Sequence, residues 1–325
     1  MTRAGNVIAN VSSIYSKCAS CSDLVLDKAE KIGLTAINFG GLTCAECGKR
    51  PLDAVIAHIL SLSVQNKRKS DLSLREIGTP LLSPGIPTYY RPHLGHRTLI
   101  LLTNRSLIAD ATERILDEVP EVKAILYGDP KRVAGLIDTQ TEPYVYQVLA
   151  GCDLRADLVS SAYGQLLIYK SQSKIHIEHD NRTKMLKLGA VPLAGCVVFD
   201  ALAGPGTLGL MSALMGAEKV ILNDAWLPAV ENAYLNLRVN KEVLGIRSIK
   251  RTSMREASFG SPELFCTAST RDTDIELYCG NFEGFNVQDS KVDVVLLDPF
   301  PGTETRFESA AKRIRNENRL RVVYI

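Results

Sequence analysis

The sequence predicts an α/β fold built on a parallel sheet, and three observations carry that prediction. Apolar runs ending on acidic residues recur at Val197-Val-Phe-Asp200, Val220-Ile-Leu-Asn-Asp224 and Val294-Val-Leu-Leu-Asp298. Such runs suit strands buried on both faces whose carboxyl ends present carboxylates to a crevice. From Cys196 onward strand-like and helix-like segments alternate, as right-handed crossovers between parallel strands require. Gly204, Gly206 and Gly209 spell Gly-x-Gly-x-x-Gly where the first strand turns into the first helix.

In this region strands are predicted over residues 197–199, 219–222, 275–279, 292–297 and 321–325, and helices over 208–215, 226–240 and 305–318. Upstream, residues 98–103 and 122–127 read as buried strands, 107–119 as an amphipathic helix and 131–137 as a short one, together a small α/β unit. Residues 142–149, 164–170 and 174–178 follow as strands, the last two joined in a hairpin through Ser171-Gln-Ser173. Residues 52–63 have helical periodicity, and the proline-rich stretch 79–92 reads as an irregular linker. No internal repeat or low-complexity tract is visible. The expected division is a cysteine-bearing module with a helix over 1–70, an α/β recognition region over 71–190 and a nucleotide-type cofactor domain over 191–325.

With 325 residues, 46% hydrophobic and 23% charged, the chain can bury cores and is not extensively disordered. No stretch approaches the roughly 18 to 20 apolar residues of a membrane span, and Met-Thr-Arg-Ala-Gly-Asn lacks the charged-then-apolar pattern expected of a signal peptide. The expected compartment is the cytoplasm, where the eight cysteines read as thiols or metal ligands rather than disulfides. A net charge of +2 does not by itself imply nucleic acid; local clusters must carry any such reading.

The glycine loop, with Asp224 about twenty residues after Gly204, fits a dinucleotide as well as other nucleotide cofactors. Asp200 separates them. A carboxylate beside the first turn repels pyrophosphate but suits the amino group and sulfonium of S-adenosylmethionine. Asn223 and Asp224 are then positioned for ribose hydroxyls. In Tyr278-Cys-Gly-Asn-Phe282, Asn281 would read the adenine amino group while Phe282 covers the ring. Asp298-Pro-Phe300 suits capture of a planar amine: Asp298 accepts hydrogen bonds from the amino group, Phe300 stacks on the ring, and the carbonyl of Pro299 adds an acceptor.

These runs, together with Asn232, Asn236 and Asn240, resemble the class I S-adenosylmethionine-dependent methyltransferases, and among them most closely the tRNA (guanine-N2) dimethyltransferases. The resemblance covers roughly residues 196–303. It implies a Rossmann-like class I methyltransferase sheet, with Asp200, Ala201, Gly204, Gly206, Asn223, Asp224, Asn281 and Phe282 at the cofactor and Asp298, Pro299 and Phe300 at the acceptor. Two departures stand out. Pro301-Gly-Thr303 replaces the Gly-Ser-Pro that follows Asp-Pro-Phe in the dimethyltransferases, and only a short stretch follows Asp298 where the superfamily adds another strand and a hairpin. The edge strand ending at Ile325 is therefore expected to be covered by the earlier α/β region or by a second subunit in a homodimer.

Cys18-Ala-Ser-Cys21 and Cys44-Ala-Glu-Cys47 have the spacing of a closed, structural four-thiolate zinc ribbon, although an iron–sulfur cluster uses the same ligands. Cys152, Cys196, Cys266 and Cys279 read as buried small apolar residues. Lys17, Lys49, Arg50, Lys67-Arg68-Lys69 and Lys312, Arg313, Arg315 and Arg319 are candidate phosphate contacts, although a solvated face is the commoner reading of each; His176, His179 and Arg182 lie near a substrate opening, where a hairpin exit has the same pattern. The expected activity is methyl transfer to a base nitrogen of RNA, with tRNA guanine preferred. The alternatives are a small heteroaromatic metabolite or a protein as acceptor, or a non-catalytic zinc-ribbon binding protein.

Overall fold

A computed structural model of the chain describes residues 4–31, 37–64, 73–136, 143–177, 181–252, 262–285, 290–300, 302–305, 307 and 321–325. The chain divides into two compact units, one of Asn10–Asp157 with Gln172–Lys174 and one of Met1–Ala9, Leu158–Ser171 and Ile175–Ile325. The first helix, α1 (Ala4–Ala9), thus belongs with the C-terminal unit. The boundary expected at 70/71 lies outside the described residues, and that expected at 190/191 falls inside the C-terminal unit.

In the N-terminal unit, β1 (Arg50–Pro51) leads directly into α2 (Leu52–Ser63), whose bounds match its 3.6-residue periodicity. Residues 79–82, read from sequence as linker, form strand β2 (Thr79–Leu82) at the edge of a four-stranded sheet, where Pro80 is tolerated because an edge strand leaves one row of N–H groups without a ladder partner. β3 (His93–Leu94) pairs with β1, and β4 (Leu99–Thr103), buried along its whole length, lies between β2 and β5 (Val122–Tyr127). The helix expected over 107–119 is split into α3 (Ser106–Ala109) and α4 (Thr112–Glu118). Residues 131–136 form turns rather than the expected short helix: the Asp129 carboxylate accepts the Lys131 N–H at 2.9 Å and diverts the chain into an Asx turn. Ile137 lies outside the described residues. β6 (Gln147–Gly151) completes the sheet against β5. Val55, Ile59 and Leu60 of α2 share one core with Leu99, Leu101, Ile115 and Ile125.

β7 (Leu154–Ser161) and β8 (Gly164–Ser171) form a hairpin across Ala162-Tyr163. The expected hairpin through Ser171-Gln-Ser173 is therefore corrected: the partner of β8 lies upstream, and residues 174–177 are irregular. Buried charge concealed β7, because Arg155 and Asp157 are interior and ion-paired at 2.7 Å, where alternation forecasts apolar side chains.

The C-terminal unit continues through α5 (Arg182–Gly189), β9 (Val197–Asp200), α6 (Thr207–Leu214), β10 (Lys219–Asp224), α7 (Leu227–Val239), β11 (Ser248–Arg251), β12 (Glu263–Ser269), β13 (Asp274–Cys279), β14 (Val294–Leu297) and β15 (Arg321–Tyr324). Their sheet has the order β11-β12-β13-β10-β9-β14-β15. The run from β13 to β15 is parallel and doubly wound, with its switch point between β9 and β14. Antiparallel β11 and β12, which an alternating strand–helix pattern does not announce, extend the edge beyond β13. The helix expected over 305–318 falls largely outside the described residues. Both faces of the sheet are covered. Val198, Val220, Leu222 and Leu296 enter one core, while Phe199, Ile221, Val295 and Leu297 enter the other, which explains the unbroken apolar runs.

Gly209 allows α6 to lie close on the sheet: a Cβ there would stand 2.3 Å from Leu222 Cδ2 and 3.2 Å from Val220 Cγ1. Gly209→Ala is expected to destabilise the unit by about 1–3 kcal/mol through overpacking, read as a lower urea midpoint with unchanged slope. No helix among the described residues is long and apolar enough to cross a membrane.

Candidate cofactor site and cysteine cluster

The carboxyl ends of β10, β9 and β14 bring Asp224, Asp200 and Asp298 to one edge of the sheet, around the switch point. The loop joining β9 to α6 turns on Gly204 and Gly206, at φ +52° and +86°, left-handed values at which a side chain strains the backbone. Asp224 braces this loop: its carboxylate accepts the Gly204 N–H and the Trp226 N–H, each at 2.8 Å. Burial raises the Asp224 pKa, and the two amide bonds oppose the rise.

Asp200 lies fully buried beneath the loop. One oxygen accepts the Gly209 N–H at 2.9 Å; the other, Oδ1, is buried with no hydrogen-bond partner among the described residues. Burial pushes its pKa up to about 8, the Gly209 bond opposes this, and the charges of Asp298 and Asp224 add to it while Lys184 lowers it. Near neutral pH the folded protein therefore holds a proton here that an unfolded carboxyl releases above about pH 4. The native state binds more protons across that window, so this group's contribution to stability is lost as pH rises from about 4 to about 8.

Asn223 is also buried. Its Nδ2 bridges the carbonyls of Ala201 at 3.4 Å and Gly280 at 3.0 Å, tying together the chain just beyond β9 and β13, while its Oδ1 is without a partner among the described residues. Ala201 is buried with its N–H on the Leu296 carbonyl. Asn281 is exposed and caps a short 3-10 turn by accepting the Glu283 N–H, and Phe282 is buried beside Phe307. The side chains of Asn223 and Asn281 thus brace backbone, whereas Asp200, Asp224 and the glycine loop form the candidate cradle.

At the acceptor side, Asp298, Pro299 and Phe300 leave β14 partly exposed. Sequence reasoning missed Lys184 on α5, whose ammonium donates to Asp298 Oδ2 at 2.7 Å. His176 meets Phe300 edge-on with ring centroids 5.7 Å apart. His179 lies outside the described residues.

Asn232 and Asn236 of α7 and Asn240 at its C-cap have a common task. Asn240 takes both the N–H and the C=O of Leu167, Asn236 takes both of Tyr169, and Asn232 accepts the Ser171 N–H, at 2.7–2.9 Å. Four helical residues rise about 6 Å and two strand residues about 6.6 Å, so side chains spaced i, i+4, i+8 stay in step with alternate residues of β8. Asn236 Nδ2 also donates to the Pro205 carbonyl at 2.9 Å, linking this ladder to the glycine loop.

In the N-terminal unit, Cys18, Cys21, Cys44 and Cys47 converge with all four Sγ atoms within 4.8 Å of one another. The Cys18–Cys21, Cys18–Cys44 and Cys21–Cys47 sulfurs are 3.6, 3.5 and 3.4 Å apart. Four thiolates about 2.3 Å from one tetrahedral ion stand roughly 3.8 Å apart, so the set fits zinc after a small expansion. Gly48, at φ +68°, lets its N–H turn back to the Cys44 carbonyl at 2.8 Å. The N–H groups of Cys47 and Glu46 hold the Cys44 thiol down at about 7, favouring the thiolate that binds metal. Purified chain is expected to carry roughly one zinc by elemental analysis and Cys21→Ser a small fraction of that; iron in its place would indicate a cluster instead.

The remaining cysteines diverge from expectation in part. Cys266 and Cys279 are buried, with thiols pushed up by burial to about 12 and 11. Cys152 is exposed just after β6, whereas Cys196, in the turn before β9, is half-buried and packs against the larger core. Among the basic candidates, Arg50 is buried in a two-pronged pair with Glu121 at 2.7 and 2.5 Å, and so is no phosphate contact. Lys49 donates to the Ser13 and Ser16 carbonyls, and Lys17 pairs with Asp23. Lys67, Arg68, Lys69, Lys312, Arg313, Arg315 and Arg319 lie outside the described residues.

Fold and site together define a doubly wound α/β protein with a glycine loop and three strand-end carboxylates at its switch point, and a four-thiolate module in its other unit. The sequence matches no protein-family model and no curated protein. Among solved structures it is similar to Trm5b from Pyrococcus abyssi, with 17% identity over 72% of this chain and 56% of that one and a TM-score of 0.42. It is similar to TYW2 from P. horikoshii in complex with MeSAdo, with 16% identity over 79% of this chain and 73% of that one and a TM-score of 0.45. A third likeness, to Trm1 from Pyrococcus horikoshii with S-adenosyl-L-methionine, has 22% identity over 47% of this chain and 38% of that one, with a TM-score of 0.33. The chain thus spans little more than half the length of the Trm5b structure.

Proposed function

We propose that the chain is a cytoplasmic S-adenosylmethionine-dependent methyltransferase that modifies a base nitrogen of RNA, with tRNA guanine as the preferred acceptor. The observation that carries this reading is the convergence of Asp200, Asp224 and Asp298-Pro-Phe300 on one edge of a doubly wound sheet, beside a left-handed glycine loop.

The residues fit the cofactor on two counts. A Cβ at Gly206 would crowd Ala233 at 3.3 Å, whereas one at Gly204 would meet nothing within 4 Å, so the loop packs its backbone close to α7 at Gly206 and leaves space at Gly204. The orphaned Oδ1 of Asp200 becomes a buried acceptor once the carboxyl gives up its proton, and the carboxylate then suits a cationic group rather than pyrophosphate. Asp224 would take ribose hydroxyls with the acceptor capacity its two amide bonds leave. When bound, S-adenosylmethionine supplies an electrophilic methyl group. Asp298 accepts hydrogen bonds from the acceptor's amino group and turns the nitrogen lone pair toward the methyl carbon; Phe300 stacks on the base. Asp298 or water would then take the proton that the acceptor nitrogen loses on methylation. Catalysis is then chiefly alignment. The zinc ribbon would serve RNA contact or folding.

Cofactor binding should release a proton from Asp200. At pH 7, calorimetry in buffers of different ionisation enthalpy is expected to give different heats, corresponding to roughly one proton, with affinity rising until about pH 8. Equal heats in all buffers would remove Asp200 from the cofactor site. The reaction itself is tested by following labelled methyl groups into bulk tRNA, total protein and a small-molecule extract. Label confined to protein or to small molecules would replace RNA as the acceptor, binding of NAD alone would overturn the cofactor, and absence of any transfer would favour a binding protein.

A further inference from the structure

We propose that Lys184 is a positioning residue for Asp298, and that α5 is thereby part of the acceptor site; this rests on the methyltransferase reading above. Asp298 follows β14 at the open edge of the sheet, where a carboxylate with free rotation would sample many orientations. The Lys184 ammonium meets its Oδ2 at 2.7 Å, with both side chains only partly exposed. Lysine is separated from its partner by 114 positions, so the contact is made by the fold and not by local sequence. A second contact from the same stretch of chain converges on the same motif: His176 packs edge-on against Phe300. The carboxylate and the ring, the two groups assigned to hold the acceptor, are thus each touched from the segment that precedes β9.

The chemistry of the pairing is specific. The charges of Asp298, Asp224 and Lys184 all act on Asp200, and two carboxylates at one sheet edge, Asp224 and Asp298, repel without a compensating cation. Lys184 supplies it and fixes the plane of the Asp298 carboxylate. The acceptor's amino group then meets an oriented oxygen, which is what alignment of the nitrogen lone pair demands. Arginine preserves the charge, whereas methionine preserves only the length of the stem.

The test is steady-state methyl transfer by Lys184→Met and Lys184→Arg, with calorimetric binding of S-adenosylmethionine and thermal unfolding alongside. Lys184→Met is expected to lower kcat about tenfold or more while KM for RNA and the cofactor dissociation constant move by less than about threefold, and Lys184→Arg to recover most of the rate. A Met variant with wild-type kcat would overturn the proposal, as would Met and Arg variants equally impaired with a common drop in Tm. The pairing has a readout that needs no activity. After reductive methylation with labelled formaldehyde, the Lys184 dimethylammonium resonance should shift on Asp298→Asn, and its constancy would overturn the contact. Wild-type protein that transfers no methyl group would instead overturn the function on which the proposal stands.

Discussion

Asp298→Ala is expected to slow methyl transfer to RNA by about a hundredfold or more while leaving S-adenosylmethionine binding within a few-fold of wild type. The side chain leaves β14 beside the switch point, partly exposed and held by Lys184. Its removal takes away the acceptor that orients the attacking nitrogen but none of the groups that cradle the cofactor. A shallower variant, Asp298→Asn, keeps one oxygen and the shape but loses the charge and its hold on Lys184, so an intermediate rate is expected. Single-turnover transfer from labelled cofactor measures both. An unchanged rate in Asp298→Ala would remove Asp298 from the reaction, whatever the acceptor proves to be.

The second large effect concerns stability. Asn236→Leu is expected to destabilise the C-terminal unit by about 3 kcal/mol, which for a unit of this size lowers Tm by roughly 6–12 °C. Asn236 is fully buried, and its amide satisfies the Tyr169 N–H at 2.7 Å, the Tyr169 C=O at 2.9 Å and the Pro205 C=O at 2.9 Å. A leucine, with the same heavy-atom branching, leaves all three without a partner, and each buried unsatisfied group costs about 1–3 kcal/mol before relaxation. Because Pro205 lies between the two left-handed glycines, cofactor affinity should fall as well. Asn232→Ala should cost less, since Ser171 is only partly buried. Urea unfolding followed by circular dichroism decides between these outcomes; equal midpoints for Asn236→Leu and wild type would show that the ladder does not hold β8.

The parallel core was legible because strands covered on both faces need no alternation. Val197-Val-Phe, Val220-Ile-Leu and Val294-Val-Leu-Leu are unbroken apolar runs, and the sheet buries them between two cores. Helix α2 was legible to the residue, because its apolar periodicity runs from Leu52 to Ser63 directly after Pro51. β7 was not, because Arg155 and Asp157 neutralise each other inside and so mimic an exposed segment. β2 was hidden by Pro80, which reads as a linker signal unless the strand is known to be an edge. The antiparallel pair β11 and β12 runs against the direction of the parallel strands, and so escapes a rule that looks for parallel strands alternating with helices.

The site divides in the same way. Strand-end carboxylates, glycines needing left-handed backbone and paired cysteines are local patterns, because each reflects what a few neighbouring residues must do. The sequence by itself determined the parallel core of the fold, the candidates Asp200, Asp224 and Asp298, and the four thiolates Cys18, Cys21, Cys44 and Cys47. Only the tertiary structure decided that Asp200 is buried with an unpartnered oxygen, that Asn223 braces strand ends, that Asn232, Asn236 and Asn240 stitch α7 to β8, and that Lys184 reaches Asp298. The reason is physical: a side chain's partner across the fold depends on where distant backbone passes. Desolvation, which sets the charge on Asp200, belongs to the packed molecule and to no segment of its chain.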